Sequence, residues 1–398
     1  MTTLSDLNIV LGVTGSISAY KSLTLASRLT QSGANVNVIL TDGGSEFVTP
    51  LSFRAITQNH VVTDSFDPHS EYSVNHVYLA KHADLVIVYP ATANSIAKLA
   101  LGICDNPLGT TILSTTAPTI VAPAMETNMY LNESTQSNLT NLKYKGISIL
   151  GPEEGSLASG ASGLGRLSEP EDALEKIKLV IGQSRGDFKG KKIIITAGGT
   201  QEPVDPVRIL TNLSSGKMGY ALAEAARDRG AEVTLISAPV SIDPPMGTSL
   251  LEVKTADDML ASVQQAIKGA DAIIMAAAVA DYKPTTSAST KIKKSLDSMS
   301  IELSPTNDIL KSIENEDVIK VGFAAETDNL IDNAKNKIKS KNLNLIVAND
   351  VTLPGSGFGS DQNQVSIIDK NLNVESIELA SKYDVSNKIL DALHKLLP

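Results

Sequence analysis

The sequence has little of what disulfides, metal clusters or membrane spans require. It contains one cysteine, Cys104, and no tryptophan among its 398 residues. A single cysteine excludes an intramolecular disulfide and a thiolate-rich metal cluster. The longest apolar stretch, residues 272–280, is far shorter than the ~18 residues of a membrane span, and no basic residues precede the first apolar run as in a signal peptide. We expect a soluble, cytoplasmic protein that does not bind membranes.

The charge balance argues against a nucleic-acid partner. The chain has 44 acidic and 34 basic residues, for a formal net charge of −10. A general binder of nucleic acid or of anionic lipid is therefore not expected. With 42% hydrophobic and 20% charged residues, the composition supports packed cores, and the length predicts two or three domains.

Short apolar runs alternate with segments of helical length, which is typical of a parallel α/β protein. The plan begins anew at residues 192–197, after a Gly- and charge-rich stretch over residues 182–190 that has no apolar periodicity. We predict an α/β chain of two doubly wound, mostly parallel-sheet domains, residues 1–185 and residues 186–398. In the first half we predict strands over residues 8–13, 35–40, 85–89, 119–122 and 147–150, and helices over residues 18–31, 45–57, 93–100 and from the fourth strand through 145.

Both halves open with a strand–turn–helix segment, where α/β folds hold phosphates. The two turns, GVTGSISAYK from Gly12 and AGGTQEP from Ala197, both lack the GxGxxG spacing. The SSGKM string over residues 214–218 is no Walker A loop, because Thr211 stands where its first glycine belongs. These departures weaken the interpretations as a dinucleotide-dependent oxidoreductase and as a P-loop NTPase.

Several longer strings are specific enough to indicate a family. The first half contains GVTGSISAYK, TDGGSEFVTPLSF, PATANSIAKLALGICDNPL and PAMETNMY, and the second contains AGGTQEPVDPVRILTNLSSGKMG, AAAVADYKP, VGFAAET and KSKNLNLIVAND. In this order they resemble the bifunctional bacterial enzyme of coenzyme A biosynthesis, which fuses phosphopantothenoylcysteine decarboxylase to phosphopantothenate–cysteine ligase. The resemblance implies a flavoprotein-type FMN-binding decarboxylase domain followed by a Rossmann-like, CTP-dependent ligase domain.

For the first domain the resemblance implies an FMN site without a dinucleotide fingerprint. Donors at helix starts would hold the phosphate, and two further residues would lie near the flavin ring. The alternative is that these small residues merely permit tight turns. The phosphate candidates are Gly15, Ser16, Ala91, Thr92 and Asn94, and the ring candidates are Thr41 and Met125.

His76, in the setting HVYLAKHADL, matches the catalytic histidine of the family. Four of the five histidines, His60, His69, His76 and His82, fall in one stretch, but their spacing does not suit a local metal site. The other three stay unassigned. As the resemblance implies it, the cofactor carries the redox step of the decarboxylation, and the protein binds, orients and excludes water.

Two positions depart from the family pattern. Glu126 occupies the asparagine position of PxMNxxM, with Asn128 two residues on, and Ser159 stands where a cysteine is the proton donor. A serine hydroxyl is a far weaker acid than a thiol of pKa ~8.5, so Ser159 is at most a relay or hydrogen-bond donor. The acid is then His76, Glu126 or a bound water. An alternative keeps the ligase and makes the first domain an FMN-binding regulatory or scaffold module. We predict that residues 151–165 form a mobile flap.

For the second domain the resemblance implies that CTP activates 4′-phosphopantothenate as an acyl-cytidylate, which the amine of cysteine attacks. Asn212 would hold the acyl carbonyl, although its position also suits an ordinary helix-start or turn residue. Lys291, which opens KIKK, would clamp the triphosphate, although charge runs are usually solvated faces. Asp281 would contact the cytosine or a metal ion.

The remaining CTP contacts follow from the same resemblance. Phe323 would pack on the cytosine, while Lys337 and Lys341, four residues apart on a predicted helix, would contact phosphates. Mg²⁺ would be held mainly by phosphate oxygens and water. The family's trimeric flavoprotein and dimeric ligase domains imply a homo-oligomer, a dodecamer. The residues implied to line the nucleotide pocket are Met275, Ala276, Ala277, Thr306, Asn307, Asp308 and Ile309.

Overall fold

The chain folds as two units, Met1–Ser184 and Arg185–Pro398, and each is described by itself. A computed structural model describes residues 4–65, 75–294, 299–314, 317–326, 329–350 and 359–397. None of the helices in these ranges has the length and apolar character that crossing a membrane requires.

Strands and helices alternate along the first unit. A 3-10 helix, Ile17–Tyr20, precedes its first α-helix. The strands are β1 (Asn8–Val13), β2 (Asn35–Leu40), β3 (Val61–Val62), β4 (Leu85–Ala91), β5 (Thr119–Pro123), β6 (Ser148–Ile149), β7 (Glu153–Ser156) and β8 (Ser162–Arg166). The helices are α1 (Lys21–Gln31), α2 (Asp42–Ser45), α3 (Pro50–Thr57), α4 (Asn75–His82), α5 (Ala93–Leu101), α6 (Pro107–Ser114), α7 (Thr127–Leu131), α8 (Glu133–Tyr144) and α9 (Pro170–Arg185).

The main sheet of the first unit is parallel, with the strand order β3-β2-β1-β4-β5-β6. The chain moves outward from β1 to β3, then crosses back and continues from β4 on the other side of β1. This reversal makes the β1–β4 boundary a topological switch point, beside which doubly wound sheets bind ligands. The antiparallel pair β7–β8 stands apart as a hairpin.

The second unit repeats this plan and extends it. Its strands are β9 (Lys192–Ala197), β10 (Gln201–Pro203), β11 (Ile209–Thr211), β12 (Glu232–Ser237), β13 (Ser249–Glu252), β14 (Ala272–Met275), β15 (Tyr282–Pro284), β16 (Leu303–Pro305), β17 (Ile319–Glu326), β18 (Leu345–Asp350), β19 (Gln362–Asp369) and β20 (Val374–Ser381). Its helices are α10 (Lys217–Asp228), α11 (Ala256–Ala266), α12 (Ile309–Ser312), α13 (Leu330–Ser340) and α14 (Lys382–His394).

The main sheet of the second unit has the order β13-β12-β9-β14-β17-β18-β19-β20. It is parallel from β13 to β18, and β19 and β20 are added antiparallel. The switch point lies between β9 and β14. Two antiparallel ribbons, β10–β11 and β15–β16, form beside this sheet. The prediction of an α/β chain with two doubly wound, mostly parallel sheets is confirmed.

Strand β9 shows why these strands appear in the sequence as continuous apolar runs. Ile193 and Ile195 pack into a core on one face of the sheet, and Ile194 packs into a second core on the other face. Successive side chains of a strand point to opposite faces, so a strand covered on both sides needs apolar residues throughout.

Predicted elements differ from the structure at several places. The helix predicted over residues 18–31 is divided into the 3-10 helix and α1, and the strand predicted over residues 147–150 is only Ser148–Ile149. The predicted helix over residues 45–57 is two helices, because Thr49 caps a new start at Pro50. The helix predicted to reach residue 145 is broken at Asn132, which caps α8. The apolar run over residues 272–280 continues as a strand only to Met275, since the backbone N–H of Ala278 turns aside to donate to Gly198 O at 2.8 Å.

A buried ion pair joins α10 to the C-terminal helix. Arg227 and Asp228 are each 1% exposed. Arg227 Nε donates to Asp228 Oδ1 at 2.8 Å, and Arg227 Nη1 donates to Met246 O at 3.0 Å. Tyr383 Oη, on α14, donates to Asp228 Oδ2 at 2.7 Å. A buried charge needs such hydrogen bonds to offset its lost hydration.

We therefore expect Tyr383→Phe to lower the free energy of unfolding of the second unit by about 1.5–3 kcal/mol, since a hydrogen bond to a charged group is lost. The matched control is Tyr282→Phe, whose side chain is exposed. Chemical denaturation followed by circular dichroism would measure both variants. Equal stability of the two would contradict the assigned role of the Tyr383 hydroxyl.

Candidate functional site

Each unit has a cavity at the carboxyl ends of its parallel strands, beside the switch point. The cavity of the first unit, here called the N-cavity, is about 580 Å³ and that of the second, the C-cavity, about 700 Å³. The loops that follow β1 and β4 are part of the N-cavity wall. The loops that follow β11 and β14 are part of the C-cavity wall. Ligand sites are expected at these positions in doubly wound folds.

Most of the predicted flavin contacts meet at the N-cavity. They come from four separate loops, which follow β1, β2, β4 and β5. In the sequence, only the family resemblance indicated that these loops form one site. Of the seven predicted residues, Ala91 is fully buried at the end of β4 and is not part of the wall. The predicted residues in the wall are Gly15, Ser16, Thr41, Thr92, Asn94 and Met125.

Two glycines allow the loops after β1 and β2 to meet. A Cβ on Gly15 would lie 2.9 Å from the carbonyl carbon of Gly43, closer than real Cβ atoms approach backbone. Thr41 caps the short helix α2 and accepts a hydrogen bond from Gly44 N at 3.2 Å. The wall between Gly15 and Gly43 therefore consists of backbone, which leaves its polar groups available to a ligand.

Threonines at the strand ends orient the start of α5. Thr14 Oγ1 donates to Pro90 O at 2.8 Å and accepts from Thr92 N at 3.1 Å. Thr92 then caps α5, since its Oγ1 accepts from Ser95 N at 3.3 Å. The first turn of α5 thus lines the cavity, and a helix N-terminus with hydroxyl groups beside it suits an anion such as a phosphate.

Further residues of the N-cavity wall were missed as individual sites. Lys98 Nζ lies 2.6 Å from Asp105 Oδ2, and this hydrogen bond and charge hold the pKa of Asp105 below its ordinary value. The signal was present, because PATANSIAKLALGICDNPL and TDGGSEFVTPLSF were recognised as unusual strings. The missed residues are Asp42, Gly43, Ser95, Lys98, Asp105, Asn106, Ala124 and Met129, whereas Ala93 belongs to the run of expected phosphate donors over residues 91–94.

The predicted decarboxylase residues are absent from the N-cavity wall. His76 is half-buried in the first turn of α4, and Asn128 is exposed on α7. Glu126 caps α7, where its carboxylate accepts from Asn128 N at 2.6 Å. His69 lies outside the described residues. Apart from Ala91, the predicted flavin contacts therefore meet at the N-cavity. The predicted proton-transfer groups of the same chain do not line this cavity.

Ser159 lies at the exposed tip of the β7–β8 hairpin, in the segment predicted to be a flap. The other end of this hairpin is fixed to the cavity wall, because Met125 N donates to Gly165 O at 3.0 Å. A Cβ on Gly165 would lie 2.2 Å from Met125 O, so only glycine permits this approach. The flap assignment itself stays a prediction.

The C-cavity brings together nearly all of the predicted nucleotide contacts. They converge from the loops after β11, β14 and β16, from β17 and from the end of α13. Lys291 is the exception, because it is exposed and absent from the wall. The predicted residues in the wall are Asn212, Met275, Ala276, Ala277, Asp281, Thr306, Asn307, Asp308, Ile309, Phe323, Lys337 and Lys341.

Asn212 follows β11 and is held against the loop after β14. Its Nδ2 donates to Val279 O at 3.2 Å. The same Nδ2 also donates to Ala278 O at 3.5 Å, so a second and longer hydrogen bond holds it to this loop. Neighbouring hydroxyls fix the same loop, since Thr200 Oγ1 accepts from Ala280 N at 2.9 Å.

Four lysines and two aspartates give the C-cavity wall an excess of positive charge. Lys341 Nζ lies 3.0 Å from Asp308 Oδ2. Lys217 Nζ lies 2.6 Å from Asp361 Oδ1, and Lys382 Nζ donates to Ser360 O. Burial, and next the charge of Lys217, lower the pKa of Lys382. Such a wall favours a polyanionic ligand.

Asp281 lines the C-cavity as an exposed carboxylate. Among the described residues, no group of three or more His, Cys, Asp or Glu side chains is arranged to hold a metal ion. This donor set suits a Mg²⁺ ion that takes most of its ligands from phosphates and water, and it does not suit a cation held by protein alone.

The start of α10 was missed as part of the site. Gly216 caps this helix with a φ of 75°, and the first residues of the helix line the cavity. The string TNLSSGKMG carried the signal, but only Asn212 was selected from it. The other missed residues of the wall are Leu213, Ser214, Ser215, Lys217, Met218, Gly219, Ala278, Val279, Ala280, Leu310, Ala324, Asn349, Gly359, Asn363 and Lys382.

Two family models match the chain. The model described as "Flavoprotein" matches residues 1–182. The model described as "DNA/pantothenate metabolism flavoprotein C-terminal domain" matches residues 188–397. Together they span both units.

Relatives match the chain over nearly its full length. It is 45% identical over 397 residues to the "Coenzyme A biosynthesis bifunctional protein CoaBC" of Bacillus subtilis (strain 168), covering 99% of this chain and 98% of the relative. It is 43% identical over 403 residues to the protein of that name from Haemophilus influenzae, covering 99% and 100%. It is also 42% identical over 358 residues to a "Cysteine/Cysteine sulfinic acid decarboxylase" from an unknown prokaryotic organism, covering 87% and 100%.

The resemblance found in the sequence motifs is therefore confirmed by alignments of 397 and 403 residues. The chain belongs to the CoaBC family of bifunctional coenzyme A biosynthesis proteins.

Proposed function

We propose that the second unit ligates 4′-phosphopantothenate with cysteine through an acyl-cytidylate made from CTP. The first unit then decarboxylates phosphopantothenoylcysteine to 4′-phosphopantetheine with FMN. The observation that carries this proposal is the full-length similarity to CoaBC proteins, combined with a separate anion-suited cavity in each unit. In this proposal the decarboxylase domain is residues 1–185 and the ligase domain is residues 186–398. The protein acts in the cytoplasm.

FMN fits the N-cavity. The first turn of α5, the hydroxyls of Ser16 and Thr92 and the backbone at Gly15 and Gly43 would hold its phosphate. Met125 would lie against the ring. The bound flavin supplies the two-electron redox chemistry on the substrate's thiol. The protein's own part is to orient the substrate beside that ring and to exclude water.

The ligase chemistry requires charge neutralisation and a polarised carbonyl. Lys337 and Lys341 would bind the phosphates of CTP, and Phe323 would stack on the base. Asn212 would donate an amide hydrogen to the acyl oxygen in place of its long contact with Ala278 O, which stabilises the charge that develops when the amine attacks. Asp281 would contact the cytosine or a Mg²⁺ ion that is held mainly by phosphate oxygens and water.

A homo-oligomer completes this proposal. His76 lies outside the N-cavity wall of its own chain, and so do Glu126 and Ser159. In an assembly of identical chains, His76 of one copy would serve the cavity of another. Proton transfer by His76, with Ser159 as a relay at most, then requires the assembled protein.

One reaction tests both activities. Purified protein is incubated with 4′-phosphopantothenate, cysteine, CTP and Mg²⁺, and CMP, carbon dioxide and 4′-phosphopantetheine are measured. We expect all three products. CMP without carbon dioxide, from protein that retains its flavin colour, would favour the scaffold alternative. Carbon dioxide from cysteine alone would indicate the activity named for the relative from the unknown prokaryote.

The variant Asn212→Asp should slow CMP-forming ligation by about 10²–10³-fold, because it replaces an amide donor with a carboxylate that repels the developing oxyanion. The flavin absorbance of the first unit should be unchanged. The matched control is Asn371→Asp, which lies outside the C-cavity wall. Ligation by Asn212→Asp at the wild-type rate would refute the role of this amide.

The variant His76→Asn should slow carbon dioxide release by about 10²–10⁴-fold, the usual contribution of a general acid or base. CMP formation should not change. His82→Asn serves as control, because His82 lies at the other end of α4 and contacts Tyr78 O through Nδ1 at 2.8 Å. If both variants decarboxylate alike, His76 has no special role.

A further inference from the structure

The loop that carries Lys291 is tied to a distant turn. This loop, residues 285–294, leaves the β15–β16 ribbon, and the turn over residues 204–208 joins β10 to β11. Ala288 N donates to Val204 O at 3.0 Å, and Ile292 N donates to Asp205 Oδ2 at 3.1 Å. The second hydrogen bond spans 87 positions in the sequence and fixes the residue next to Lys291.

Asp205 is unusual because it is a carboxylate at 3% exposure with four N–H donors. Its Oδ1 accepts from Val207 N and Arg208 N, both at 2.8 Å. Its Oδ2 accepts from Arg208 Nη1 at 2.7 Å and from Ile292 N. One oxygen therefore shapes the turn, and the other joins the turn to the loop.

Arg208 completes the attachment of Ile292. The nitrogen Nη1 that pairs with Asp205 also donates to Ile292 O at 3.1 Å. Both backbone groups of Ile292 are thereby bound, as those of a strand residue are by its neighbour. Burial alone would raise the pKa of Asp205, but the backbone hydrogen bonds and the charge of Arg208 outweigh it, so its pKa lies below the ordinary value.

The β10–β11 ribbon, whose turn contains Asp205 and Arg208, leads directly into Asn212. Only β11 separates Arg208 from Asn212, a distance of about 13 Å at ~3.3 Å per residue. Asn212 lines the C-cavity, whereas Lys291 is exposed and outside its wall. The contact at Ile292 therefore sets how far Lys291 lies from the proposed reaction centre.

We propose that Asp205 is a positioning residue of the ligase reaction, which together with Arg208 fixes the backbone at Ile292 and so places Lys291 within reach of the nucleotide triphosphate. This role rests on the proposed function. The attachment of the loop does not depend on that function and can be measured without substrates.

Limited digestion with trypsin tests the attachment, because the string KIKK at residues 291–294 offers three cleavable lysines in this loop. In Asp205→Asn the acceptor charge is lost, and we expect cleavage there about tenfold faster than in the wild type. Asp271→Asn is the matched control, since Asp271 also accepts a distant backbone N–H, but from Lys192 N at 2.7 Å and not from the loop that carries Lys291. Equal cleavage of Asp205→Asn and the wild type would overturn the proposal.

A second variant covers the case in which Asp205→Asn does not fold. Ile292→Pro removes the N–H that donates to Asp205 and leaves the hydrogen bonds of the turn from Val207 and Arg208 in place. Trypsin does not cut before proline, so cleavage is scored after Lys293 and Lys294. The same acceleration is expected, and its absence counts against the proposal.

A double-mutant cycle separates positioning from general stability. Asp205→Asn should raise KM for CTP and lower kcat for CMP formation, together about tenfold in kcat/KM. In a Lys291→Ala background it should have no further effect, because Asp205 acts through Lys291. Multiplicative losses would show that Asp205 acts elsewhere and would overturn the proposal.

The outcomes also distinguish this inference from the proposed function. A wild-type protein that makes no CMP from CTP overturns both the ligase assignment and the positioning role, whatever the digestion shows. A wild-type ligase whose Asp205→Asn variant keeps its kinetics overturns the positioning role alone.

Discussion

Both cavities depend on one constraint, which is that neighbouring parallel strands end side by side while their connections leave in opposite directions. In the first unit these strands are β1 and β4, and in the second they are β9 and β14. Their connecting loops separate at this point, so the sheet edge opens into a crevice. The two units follow the same plan, yet the loops that line the two crevices differ in charge, because the C-cavity wall carries four lysines and the N-cavity wall one.

Threonine side chains hold the loops at both crevices. Thr14 binds Thr92 N in the first unit, and in the second Thr196 Oγ1 accepts from Ala277 N at 3.1 Å. In the first unit the hydroxyl directly follows β1 and fixes the backbone after β4. In the second unit the hydroxyl lies on β9 and fixes the backbone after β14. These hydrogen bonds restrict the loops, and such restriction reduces the entropy that ligand binding must overcome.

The two cavities differ in how completely one chain forms them. The C-cavity wall contains the amide of Asn212 and the ammonium groups of Lys337 and Lys341. The N-cavity wall contains the proposed phosphate donors, but not His76. This difference is the basis of two proposals, that the nucleotide contacts of the ligase unit come from one chain and that the decarboxylase unit needs a second copy. The departures at Glu126 and Ser159 both lie outside the N-cavity wall, with Glu126 serving as a helix cap.

The sequence by itself determined the fold class and the individual strands, because apolar runs and capping residues act over a few neighbouring positions. Strands β1, β2 and β9 were predicted to the residue. The family strings contained many of the cavity residues, but only single positions such as Asn212 were selected from them, and neighbours such as Lys217 were passed over. Only the tertiary structure decided that Lys341 meets Asp308, that Asp205 holds Ile292, and that Lys291 and His76 lie outside the walls of the cavities. The physical reason is that these contacts and distances involve residues far apart in the sequence. The path of the chain through the sheet sets their distances, and no local sequence pattern encodes that path.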